Sequence, residues 1–164
     1  MNTMKFIDTT KFWSAVLVAW FALGLPTEAA VRNIYPAPGQ AKPDLAQALQ
    51  SAASTHRRII LDFGGNWCPD CHALDAYFHD ASNDPILEAG FILVHVNIGR
   101  LDQNLDIAKR YEIPLDKGVP ALAVLDSDGT LIFSQKAGEF EAMRSMRSAA
   151  VTDFLNHWKP AASS

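Results

Sequence analysis

Apolar and polar positions along this chain switch between two periods. After Pro43-Asp44, residues Leu45, Ala48, Leu49, Ala52 and Ala53 recur at helical spacing while Gln47 and Gln50 fall off that face. That spacing predicts a helix with Asp44 as its N-cap. His56-Arg57-Arg58 stand near its C-terminal end, where positive charge is favourable. Ile59 to Phe63 is a nearly continuous apolar run, the pattern of a strand covered on both faces. A second helical pattern includes Ala73-Leu74-Asp75-Ala76-Tyr77-Phe78 and runs to about Asp80. Ala81-Ser82-Asn83-Asp84-Pro85 breaks it, and Ile86 to Ala89 adds a turn before Gly90. Phe91 to Ile98 reads as a second strand, Leu105 to Tyr111 as a modest helix, and Ala121 to Leu125 as a third strand. Asp126-Ser127-Asp128-Gly129 is a hairpin signal that returns the chain as a fourth strand, Thr130 to Ser134. Val151, Phe154, Leu155 and Trp158 mark a last helix that stops before Pro160.

Strands alternating with helices imply an α/β fold with parallel pairing in the middle of the sheet. The late hairpin adds one antiparallel pair. The expected architecture is a central mixed sheet of four to five strands with helices on both faces. With 164 residues there is room for one domain. Residues 44–160 would form it, after an irregular arm over 30–43 that carries Pro36, Pro38 and Gly39. The net charge of −4 argues against a nucleic-acid binder, which would present a basic face.

The first residues follow a different order. Lys5 and Lys11 precede an apolar run from Phe12 to Leu25 broken only by Ser14, followed by Pro26 and the small residues Ala29-Ala30. That order predicts a secretory signal over residues 1–29, cleaved after Ala29 or Ala30, with an uncleaved anchor as the alternative. The run falls short of the ~20 apolar residues of a comfortable membrane span. No cysteine stands near the cleavage point, so lipid attachment there is excluded. The expected location is periplasmic or otherwise exported, an environment in which a cysteine pair meets oxidants.

The only two cysteines, Cys68 and Cys71, stand between the first strand and the second helix, followed by His72. Three chemistries fit a Cys-x-x-Cys-His sequence: a dithiol redox centre, c-type haem attachment, or part of a metal site. Haem would need His72 as one axial ligand, with Met143 or Met146 as distal candidates. No second Cys-x-x-Cys completes a tetrahedral metal site, which leaves copper held with His72 or His95 as the metal alternative. The redox reading has a physical basis in position. A sulfur at a helix N-terminus faces unpaired backbone N–H groups and the positive end of the dipole, which favour thiolate over thiol.

Four features together resemble the thioredoxin superfamily over about residues 44–158. Asp62-Phe63 ends the strand before the cysteines, and Trp67-Cys68-Pro69-Asp70-Cys71 matches the active-site motif. Gly118-Val119-Pro120 looks like the cis-proline loop, and Gly138 follows the final hairpin. The chain looks most like the small exported thioredoxin-like proteins. The resemblance implies a thiol–disulfide oxidoreductase with no cofactor beyond a redox-active Cys68–Cys71 disulfide. Cys68 would attack a substrate disulfide and Cys71 would resolve the mixed disulfide. Asp62 would lie buried behind them and accept the resolving thiol's proton, a task that burial suits. Trp67, Val119 and Pro120 would contact an extended substrate, Val119 through its backbone.

The motif departs from the family at Pro69-Asp70. Pro69 suits a first helical turn, whereas the charge of Asp70 near Cys68 opposes thiolate formation. Both residues are therefore expected to tune the potential, towards a more reducing centre than in strongly oxidising relatives. His95 falls where thioredoxins often place a lysine near that carboxylate; it is expected to be a partly exposed strand residue, with pairing to Asp62 as the alternative, and His72 is expected on the surface. The resemblance further implies protein thiols and disulfides as partners, a membrane-bound electron donor, a monomer, and work in the reducing direction.

Overall fold

The computed structural model describes residues 32–161; the leader expected over residues 1–29 lies outside them. Four strands form one sheet in the order β2-β1-β3-β4: β1 (Arg58–Gly64), β2 (Phe91–Asn97), β3 (Ala121–Leu125) and β4 (Leu131–Ser134). Five α-helices accompany them among the described residues: α1 (Ala41–Thr55), α2 (Pro69–Phe78), α3 (Asp84–Gly90), α4 (Leu105–Arg110) and α5 (Ala149–Trp158).

The two-residue period of β1 sorts its side chains between two apolar layers. Ile59, Leu61 and Phe63 pack with Ala41, Leu45, Ala48 and Ala52 of α1 and with Ile107 and Ala108 of α4. Ile60 faces the opposite layer, with Leu74 and Phe78 of α2, Leu87 of α3, and Val151, Phe154 and Leu155 of α5. The sheet is thus mixed and flanked by helices on both faces, the arrangement of the thioredoxin α/β fold. The same alternation puts Asp62 and Gly64 on the face of Ile60, the side that α2 covers.

One expected pairing is corrected. β1 and β2 run parallel, but β1 and β3 are antiparallel, as are β3 and β4. A parallel return requires the connection to travel back the full length of a strand, about 23 Å for seven residues. The segment between β2 and β3 makes no such traverse, and its one α-helix, α4, rises only about 9 Å. The chain therefore re-enters the sheet at the end where it left, and Ala121 pairs with Phe63 at the end of β1.

The first helix also begins earlier than the sequence suggests. A 3-10 turn at Pro38–Gln40 leads into α1 at Ala41, so Asp44 lies in the first turn and Gln40 holds the cap position. Its acidic side chain still lies near the positive end of the dipole. The remaining arm is not loose. Tyr35 is buried, and three asparagine amides hold its backbone: Asn66 Nδ2 donates to the Tyr35 carbonyl (2.8 Å), Asn97 to Pro36 (2.7 Å) and Asn104 to Pro38 (2.9 Å). Asn66 Oδ1 in turn accepts from the Tyr35 amide at 2.9 Å.

The central strand carries both layers, so truncation there is expected to be costly. Leu61→Ala should destabilise the fold by about 2–5 kcal/mol in equilibrium denaturant unfolding.

Candidate functional site

α2 begins directly at the cysteine pair. Cys68 is its N-cap, extended at φ −95°, and Pro69 opens the first turn. The Cys68 Sγ accepts the Cys71 backbone N–H at 3.1 Å, one of the orphan donors of the helix start. The two cysteines are joined as a disulfide, with Cα atoms 5.3 Å apart. Cys71 is fully buried and Cys68 nearly so. The Cys68 Sγ also lies 3.6 Å from the Val119 carbonyl oxygen, in the loop where the Val119–Pro120 peptide bond is cis. Gln135, fully buried, clamps the start of β3: it accepts from the Leu122 amide (3.2 Å) and donates to the Pro120 carbonyl (3.4 Å).

Beneath α2 the strand register assembles a polar cluster. Asp62 is fully buried and stands directly opposite His95 of β2. Its Oδ2 accepts the Tyr35 hydroxyl at 2.6 Å and lies 2.9 Å from His95 Nδ1. Its Oδ1 has no hydrogen-bond partner among the described residues. The other imidazole nitrogen, Nε2, lies 3.6 Å from Oδ1 of Asp75, a nearly buried carboxylate on α2. The aromatic faces of Tyr35 and His95 meet edge-on at 5.0 Å. Gly64 makes room for this packing, since a Cβ there would fall 2.6 Å from Cys71 Sγ and closer still to the Tyr35 hydroxyl.

The charges respond to that burial. Desolvation and the neighbouring Asp62 carboxylate hold the Tyr35 phenol well above its ordinary value, so it stays a donor. For His95, burial pulls the pKa down, but the hydrogen bond and charge of Asp62, with Asp75 behind it, outweigh burial and the opposing Arg32. The net direction is upward.

His95 is partly exposed on its strand, as expected, and the pairing with Asp62 is realised as well. One expectation about a single residue changes. His72 is half-buried, with Nε2 2.9 Å from the Asn66 carbonyl, rather than a free surface group. With His72 turned to Asn66, Met143 fully buried in the core and Met146 packed half-buried against the same cluster, the haem alternative loses its expected ligand arrangement. Among the described residues no three His, Cys, Asp or Glu side chains group as a metal site.

Asp70 faces away from a purely repulsive role. Its Oδ1 accepts the Arg144 backbone N–H at 2.9 Å, and Oδ2 lies 3.1–3.2 Å from the guanidinium. These contacts, led by the backbone N–H, lower its pKa. Trp67 is exposed at 41%, with its indole N–H bonded to the Gly99 carbonyl and Arg100 lying 5.7 Å over its ring. Pro69 is exposed, Val119 half-buried and Pro120 buried.

The family model described as thioredoxin-like matches residues 40–127. The chain belongs to the thioredoxin-like family. It is 32% identical to a disulphide isomerase from Xylella fastidiosa Temecula1, over 78% of this chain and 98% of that one, with a TM-score of 0.73. A thioredoxin from Thermus thermophilus shares the fold at 20% identity and a TM-score of 0.51, over 75% of this chain and 83% of its own. No curated protein sequence matches the chain. The intact disulfide in this fold makes the chain a thiol–disulfide oxidoreductase, using its own cysteines as the redox group.

Tyr35, Asp75, Gln135 and Arg144 are the site neighbours that sequence reasoning missed. His95 was singled out at the place of the family's lysine, and the register of β2 decides its partner.

Two measurements follow from these charges. Arg144→Ala removes the guanidinium from Asp70 while keeping the backbone N–H, and leaves more of its negative charge uncompensated near Cys68. The Cys68 thiol pKa of the reduced protein should rise, read from thiolate ultraviolet absorbance against pH; an unchanged titration would show that Asp70 does not act on the sulfur. The raised pKa of His95 means its pairing stabilises the fold fully below the ordinary value of 6.5, and that contribution is lost as pH climbs through the raised value. Unfolding free energy should therefore fall as pH rises from the ordinary histidine value through the raised one, with a shallower slope in His95→Gln.

Proposed function

We propose that this chain exchanges thiols and disulfides with protein substrates outside the cytoplasm, working from its reduced form. The observation that carries the reading is the Cys68–Cys71 disulfide at the start of α2 with a fully buried carboxylate, Asp62, on the strand beneath it. The helix N-terminus favours negative charge on Cys68. The Cys68 thiolate attacks one sulfur of a substrate disulfide, forming a mixed disulfide and releasing the other sulfur as a thiolate. Asp62 takes the proton of Cys71, whose thiolate attacks Cys68 Sγ. The mixed disulfide breaks, the second substrate sulfur leaves and takes a proton from water, and the chain keeps the disulfide. Two electrons have passed to the substrate.

The unpartnered Oδ1 of Asp62 supports this role, since a buried acceptor without a donor is costly and a protonated Cys71 would be a donor. Trp67, exposed beside the disulfide, and the Val119–Pro120 loop form the surface an extended substrate would meet. Pro69 and Asp70 tune the centre, the latter moderated by Arg144. The charged, apolar, small-residue order of residues 1–29 supports export. A membrane-bound dithiol donor would then restore the reduced form, and the protein would act as a monomer.

A second reading, isomerisation, is favoured by the 32% identity to a disulphide isomerase. It uses the same first attack and returns the electrons to Cys68 without resolution by Cys71.

One trapping experiment tests both. Cys71→Ala expressed with its leader should accumulate mixed disulfides through Cys68 with exported proteins; an absence of such adducts would overturn the exchange reading. Retained shuffling of a scrambled substrate by this variant would favour isomerisation, and its loss would favour reduction. Asp62→Asn should slow the resolution step about 10²-fold near neutral pH while leaving Cys68 alkylation unchanged.

A further inference from the structure

We propose that His95 is the proton exit of the buried carboxylate, taking through Nδ1 the proton that Asp62 receives from Cys71 and releasing one from Nε2 towards the surface beside Asp75 and His79. The inference rests on the exchange reading above and extends it to a step that reading leaves open.

Asp62 has no exposure of its own, so a proton it accepts needs a carrier to reach water. Two groups touch its Oδ2. Tyr35 cannot serve, because its phenol already holds a proton that burial and Asp62 bind tightly, and its side chain is enclosed. His95 can serve: its two nitrogens face opposite ways, Nδ1 at 2.9 Å from Asp62 and Nε2 at 3.6 Å from Asp75 Oδ1. Its side chain is 17% exposed, against none for Asp62. A separation of 3.6 Å is long for a direct hydrogen bond, so Asp75 does not hold the Nε2 proton fast. Asp75 Oδ1 lies 3.5 Å from Nδ1 of His79, whose side chain is 41% exposed.

The outlet is an open pocket of about 320 Å³ lined by Arg32, Asn33, Asp75, His79 and His95 among others. The groups facing the imidazole are Asp62 from β1, Tyr35 and Arg32 from the arm, Asp75 from α2 and His79 at its C-cap. Asp44 of α1 and Arg57 line a second groove that also reaches His95. The carboxylates keep the ring able to carry positive charge in passing.

The transfers balance without a further reactant. In the reduced protein the neutral ring carries its proton on Nε2. The Cys71 proton arrives on the open Oδ1, and a flip of the carboxyl group turns that O–H to Nδ1; the O–H bond breaks as Nδ1–H forms, and the imidazolium then loses its Nε2 proton to water. The oxidised protein is left with an ionised Asp62 and an Nδ1–H donor directed at it, consistent with the 2.9 Å contact. Re-reduction of the disulfide runs the same transfers backwards and resets the tautomer, so no electrons pass through the ring.

The test is single-turnover oxidation of the reduced protein by a disulfide-closed peptide, followed by tryptophan fluorescence in His95→Ala and His95→Gln. Resolution should slow about 10²-fold in both, the low end for a positioned acid–base group, with Cys68 alkylation unchanged. Added imidazoles should restore His95→Ala in proportion to their basicity and should not restore His95→Gln, whose amide fills the space. Wild-type resolution rates in both variants, or a loss in His95→Ala that no imidazole restores, would overturn the exit. Should His95→Ala fail to fold, an unslowed His95→Gln decides against it and a slowed one, with its pH dependence flattened, decides for it. A wild-type protein that cannot oxidise its dithiol on the peptide defeats the exchange reading itself, whereas an active wild type with unaffected variants defeats only the exit.

Discussion

A carboxylate closed off from water beneath a helix is the constraint around which this domain is assembled. Burying a charge is expensive unless partners share it. Here three separate segments contribute: β1 supplies Asp62, the register of β2 sets His95 opposite it, and the arm brings a tyrosine hydroxyl to the same oxygen. Removing either donor would leave part of that desolvation uncompensated. Fold and chemistry are therefore coupled, because the strand register that builds the sheet also decides which groups reach Asp62.

The cysteines depend on the same register from above. Gly64, two residues beyond Asp62 on the same face, is where Cys71 and Tyr35 approach the strand, and no side chain would fit between them. The helix start above it needs an acceptor for its free N–H groups, and Cys68 provides one. A second anchor comes from Asp70, which ties this first turn to Arg144 near the end of the chain. The result is a sulfur pair fixed from below by packing and from the side by the ion pair of Asp70 with Arg144.

Most of the architecture was legible in the apolar periodicity, since Ile59–Phe63, Phe91–Ile98 and Ala121–Leu125 are long or pure enough to read as strands. The antiparallel return of β3 was not legible, because it depends on how far a short helix carries the chain rather than on any local pattern. The candidate site divides in the same way. Cys68, Cys71 and Asp62 lie within ten residues on one strand–helix turn, so spacing exposed them. His95 could be noticed but not placed, as its face follows from pairing with β1. Tyr35, Asp75 and Gln135 act through contacts with partners far along the chain or across elements, and nothing in their neighbours announces it. Arg144 bears on Asp70 from 74 positions away, so the sequence showed the acid without its counter-charge.

The hold on the arm has a bearing on how such sites diverge. Its path is fixed by amides of Asn66, Asn97 and Asn104 that grip main-chain carbonyls, groups every residue possesses. Apart from Tyr35, then, the arm's own letters matter little; Gly39, for instance, has open space where a side chain would go. The address is written in the receiving surface and not in the strap. Relatives could rewrite this stretch almost completely and still lay it along the same track, so an alignment that finds no similarity there would be silent about whether the tyrosine lid is kept. The three asparagines, scattered through the domain proper, are the better marker of its presence.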